Sequence, residues 1–110
     1  MPVLIPRGPG LDTDEGLRAI ADRLERYAAD HPGASIEAYR HGRYVVRIRV
    51  IDDRFRGLTK SERHRKVWPY LHDLPEDVLS DVSTLLLLTP DEKAGSLAST
   101  EFDDPIPPRL

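Results

Sequence analysis

Apolar residues recur at helical spacing in the first third of the chain. Leu17, Ile20, Ala21, Leu24, Tyr27 and Ala28 fall on one face of a helix. Asp12 or Thr13 can cap its start, and Glu15 sits three residues after Asp12, as in a capping box. His31-Pro32-Gly33 ends it near Asp30. The period then switches to two. Residues 35–39 read as a short strand, 40–42 as a tight turn, and 43–51 as a second strand. In that strand Tyr44, Val46, Ile48 and Val50 form a wholly apolar face that should meet the helices. Val45, Arg47, Arg49 and Ile51 form the other face, expected to be wet in its middle. Thr59 and Glu62 open a second helix with another capping-box pattern. Val67, Tyr70, Leu71 and Leu74 are its core face. Pro69 lacks an N–H and crowds the carbonyl of Arg65, which predicts a kink or restart near Trp68. VSTLLLL, residues 82–88, reads as a third, buried strand, with Val46, Ile48, Leu85 and Leu87 as core. Thr89 then caps a short helix with Pro90 at its first position, running to about Ala98.

The order helix, strand, strand, helix, strand, helix predicts an α+β domain over residues 12–98: a three-stranded sheet covered on one face by helices. Residues 1–11 are expected to be a flexible arm. Residues 99–110, acidic and rich in proline with an isolated Phe102, are expected to be a disordered tail.

Composition narrows the classes. The chain has 110 residues, room for one core, with 39% apolar and 32% charged positions. It has no cysteine, so no disulfide, thiol nucleophile or thiolate-held metal comes from this chain. Its longest apolar run, Leu85–Leu88, is far short of the roughly 20 residues of a membrane helix. MPVLIPRGPG does not read as a signal peptide, and a cytoplasmic location is expected.

Charge changes the picture once it is divided. The net charge is -3, yet residues 40–66 hold ten Lys/Arg against three Asp/Glu, and residues 67–110 hold two against nine. Within the basic segment, FRGLTKSERHRKV (55–67) carries six basic side chains if His64 is counted. One reading pairs Arg63 or Arg65 internally with acids such as Asp52 or Asp53. The other makes a partner-binding or phosphate-binding surface from Arg47 and Arg49 on the sheet and Lys60, His64, Arg65 and Lys66 on the helix, with Trp68 as an aromatic anchor. No catalytic, cofactor or metal site is expected. His31, His41, His64 and His72 form no spaced ligand pair, Thr59, Ser61 and Ser83 have no evident base, and no phosphate-binding glycine pattern occurs.

Phe55, Gly57, Arg63-His64-Arg65, Val67 and Leu71 resemble the central motif of the BolA family. Thr89, Pro90 and Glu92 resemble that family's Thr-Pro-x-Glu after the last strand. The resemblance covers roughly residues 13–98. It implies an αββαβα fold akin to type II KH modules and a non-enzymatic, regulatory protein. It also implies a monothiol glutaredoxin as partner, an iron–sulfur cluster shared with it, and links to transcription. The chain departs from the pattern at the cluster ligands. Ser83 stands where the family has a histidine in the last strand, and a serine hydroxyl is a poor iron ligand. The loop between the first two strands is short, with only His41 available. The reading is therefore a BolA-like binding protein without the usual cluster ligation. Two alternatives stand beside it: a KH-like nucleic-acid binder, and a subunit that docks through its acidic tail with Phe102 as anchor. The oligomeric state is left open.

Overall fold

The structure, a computed structural model, describes residues 3–4, 14–42 and 45–103, with the side chains of 3–4 and 97–99 left out. Nine elements follow in order: β1 (Val3–Leu4), α1 (Glu15–Asp30), β2 (Ser35–Arg40), β3 (Val46–Ile51), α2 (Lys60–Val67), α3 (Glu76–Leu79), β4 (Val82–Leu88), α4 (Pro90–Gly95) and α5 (Leu97–Asp103). The class is α+β, and the three long strands β2, β3 and β4 form its mixed sheet. β2 is antiparallel to β3, and β3 is parallel to β4. The two-residue β1 adds parallel to β2, giving the order β1-β2-β3-β4. Part of the expected N-terminal arm is thus a strand. The rest of that arm, the candidate caps Asp12 and Thr13, and Arg43 and Tyr44 lie outside the described residues.

Local chemistry explains most boundaries. Asp14 caps α1 by accepting from the Leu17 amide at 2.9 Å. Gly33, at φ +96°, supplies the left-handed turn past its end that other residues disfavour. Thr59 and Thr89 each cap a helix through a complete capping box, with Glu62 and Glu92. α2 stops at Val67, and Trp68–Tyr70 continue as a 3-10 turn around Pro69. The expected restart falls there because Pro69 cannot join an α-helical ladder.

α1, α2 and the turn after α2 cover one face of the sheet. Leu17, Ile20, Leu24 and Tyr27 meet Val46, Ile48 and Val50, and Phe55, Val67 and Leu71 complete the core, all 0% exposed. Three expectations change. First, β4 is the last strand of the sheet, so Leu85 and Leu87 are half-buried at its margin and are not fully enclosed core. Second, α3 forms between α2 and the last strand, where the sequence pattern named no element. Third, α4 ends at Gly95, and α5 carries packed structure to Asp103, past the expected boundary at residue 98.

α5 also changes the second face of the sheet. Phe102 is 1% exposed and packs edge-on against Tyr39, with ring centroids 4.9 Å apart. The Tyr39 hydroxyl donates to the Phe102 carbonyl at 2.6 Å. Residues 100–103 are therefore not a loose tail, while 104–110 lie outside the described residues. The expected wet face is dry at Arg49, which is 1% exposed beneath Phe102.

Candidate functional site

The seven candidate binding residues do not form one surface. Strand alternation turns Arg47 and Arg49 away from α2, onto the face that α5 covers. Arg49 lies under the Phe102 ring, its guanidinium carbon 4.6 Å from the centroid. Its Nη2 donates to both Glu37 oxygens at 2.7 Å and to Asp103 at 2.8 Å. Burial disfavours its charge, but those carboxylates outweigh burial and raise its pKa. Arg47 pairs with Glu101, and that hydrogen bond is the main reason its pKa is raised. Both arginines are removed from the candidate surface. Acids of α5 and β2 already neutralise them, and a buried charge persists only when paired.

The same holds along most of the basic segment. Arg40 pairs with Asp14 and Asp81, Arg54 with Asp52, and Arg56 with Asp53 and Asp91. Arg63 pairs with Glu92 at 2.5 Å and donates to the carbonyls of Leu58 and Leu87 at 3.0 and 2.9 Å. Internal pairing of Arg63 is thus correct in kind, but its partner is Glu92. Asp52 instead accepts from the Tyr27 hydroxyl at 2.7 Å and from Arg54. Gly57, at φ +80°, makes the turn that brings the Leu58 carbonyl to Arg63. The Phe-x-Gly and Arg-His-Arg stretches therefore act together to fasten the loop, α2, β4 and α4.

What remains is one face of α2. Lys60, His64, Arg65 and Lys66 are exposed, and among the described residues none of them forms an ion pair. Arg65 makes a long 3.3 Å hydrogen bond to Ser61. His64 stacks on Trp68, with centroids 5.2 Å apart and planes 21° apart. Trp68 is half-buried and leans on the core. Beside this face, Lys60, Arg63 and His64 meet Leu85–Leu88 of β4 in a groove of about 320 Å³. Cations thus border a leucine floor, and His64 links that border to the Trp68 indole on which it stacks.

The residues do not fit a family-type cluster site. Ser83 is exposed, its hydroxyl 3.5 Å from that of Thr84. The His41 ring lies edge-on to Tyr39. Among the described residues no group of three or more His, Asp or Glu side chains is disposed to hold a metal.

Sequence reasoning missed the α5 contacts. A signal was present: acids at 101 and 103 flank the aromatic at 102, matching two arginines that flank Ile48 on the strand's other face. Comparison of the chain with models of known families, with curated proteins and with solved structures finds no match, so its residues and geometry alone support the functional reading.

Proposed function

We propose that this chain is a small, non-enzymatic binding protein of BolA-like type, acting in the cytoplasm, that recognises a protein partner through the exposed face of α2. One observation carries the reading: among the described residues Lys60, His64, Arg65 and Lys66 stay outside ion pairs while most of the basic segment is neutralised internally, with His64 stacked on a half-exposed Trp68 and Lys60 and His64 lining an apolar groove. Aromatic anchors ringed by polar groups are typical of protein-binding patches. The element order after β1 and the structural use of Phe55, Gly57 and Arg63 support the family likeness. Ser83 argues against cluster ligation as part of the function. Loss of Arg47 and Arg49 from the surface weighs against nucleic acid, because it leaves few cations to neutralise phosphates. Among the described residues, no helix is long and apolar enough to cross a membrane.

The test is affinity capture from the native lysate, with and without nuclease. The reading expects a retained protein whose capture survives nuclease and falls with Trp68→Ala and His64→Ala in variants that still melt cooperatively. Retention abolished by nuclease, with steeply salt-dependent binding to DNA or RNA, would replace it with the nucleic-acid alternative.

A further inference from the structure

β4 ends the sheet order, so among the described residues no strand meets its outer edge. The Leu88 carbonyl accepts from the Asp52 amide of the inner side. Alternation along the strand therefore turns the backbone groups of Leu85 and Leu87 outward. The Leu87 carbonyl is taken by Arg63 at 2.9 Å. At the other end the register slips, because Val46 faces Val82 and Arg47 faces Thr84, which leaves Ser83 as an extra residue. Between these two ends, Thr84–Leu86 present an open edge. Folded proteins usually guard such edges with lysine, proline, inward charge or a bulge. VSTLLLL has no charge and no proline, and its bulge lies outside this window.

Three occupants can be compared. The chain's own segments outside the described residues, IPRGPGLDT (5–13) and DPIPPRL (104–110), are rich in proline, which has no N–H to give a ladder. A second copy of β4 brings an uncharged strand and nothing to answer the cations of the rim. A segment with acidic side chains answers both edge and rim, since Lys60 and His64 line the groove beside Leu85–Leu88 and among the described residues form no ion pairs. We infer that an extended segment of the partner protein, alternating apolar and acidic residues, adds as a further strand on the Thr84–Leu86 edge, its acids facing Lys60 and His64. This rests on the protein-binding reading above and names the partner's chemistry.

The probe is an acetylated, amidated octapeptide of alternating glutamate and valine, titrated at low salt into the isotope-labelled full chain and followed by NMR. Expected are amide shifts concentrated on β4 and α2, slowed exchange at the Leu85 amide, and at least tenfold weaker binding to Lys60→Glu. A strand pairs along one edge only. Of two peptides N-methylated at all valines or at all glutamates, one should therefore lose binding and the other keep it. No binding, equal effects of the two methylated peptides, tighter binding of a lysine–valine peptide, or shifts confined to α1 and β2 would overturn strand addition. Dimerisation of the chain alone, abolished by Leu86→Lys, would give the edge to a second copy and also overturn it. If the peptide results fail while lysate capture still depends on Trp68, only the strand-addition step is wrong. If capture fails too, the binding reading falls with it.

Discussion

Arg63 joins four segments through one guanidinium: the Leu58 carbonyl before α2, its own helix, the Leu87 carbonyl on β4 and Glu92 on α4. Removing it leaves two part-buried carbonyls without a donor, a cost added to the loss of the bonds themselves. Arg63→Ala should lower unfolding free energy by about 2–4 kcal/mol, measured by urea denaturation. An unchanged midpoint would mean that the motif arginine is dispensable to the fold. Its partner adds a pH signature. The Arg63 guanidinium, with the Thr89 amide, holds the Glu92 carboxyl down at about 2, against an ordinary value of 4.5. The folded value is depressed, so this contribution is complete above pH 4.5 and fades as the pH falls toward 2. Glu92→Gln should therefore lessen the loss of stability between those pH values while lowering stability at neutral pH. Parallel pH-stability curves for the two proteins would contradict the pairing.

α5 and β4 are the elements whose roles depend most on their neighbours. α5 is seven residues long and held by one aromatic plus two carboxylates. Phe102→Ala should cost about 3 kcal/mol, the low end for a buried Phe, and removal of residues 101–110 at least as much. A truncated chain that melts like the full one would show that α5 does not pack. β3 and β4 differ in enclosure. Ile48→Ala should cost about 2–5 kcal/mol at a fully buried site, whereas Leu85→Ala, half-exposed at the margin, should cost roughly 1 kcal/mol. Equal costs would mean that something encloses β4 in solution, which a concentration series would reveal.

At the scale of the whole molecule, most of the segregated charge is neutralised inside the fold. The acidic end and scattered acids neutralise Arg40, Arg47, Arg49, Arg56 and Arg63 within the fold, and among the described residues the cations of the basic segment left outside ion pairs lie on α2. In the binding reading proposed above, such a surplus of one sign on one face would steer an oppositely charged partner. The ligand set has its own consequence. Mixing the chain with a cluster-loaded monothiol glutaredoxin should leave the cluster's visible spectrum unchanged, because Ser83 offers a hydroxyl where imidazole would be needed. A new histidine-type spectrum, lost on His41→Ala, would contradict this.

The sequence by itself determined the features that depend on near neighbours. The capping box at Thr59, the cap at Thr89, the break at Pro69 and the alternation of Val46, Ile48 and Val50 all act within a few residues, so their outcome is written locally. With them came the α+β class. Only the tertiary structure decided which basic side chains, among the described residues, stay outside ion pairs. Arg49 and Lys60 look alike as residue types. Arg49 lies under Phe102, fifty-three positions away, and Lys60 faces a groove floored by a distant strand. Likewise VSTLLLL reads as buried in any apolar scale, yet strand order placed it at the sheet margin. Burial and ion pairing are properties of what a residue meets, and for these residues the meeting is set by how separate elements pack.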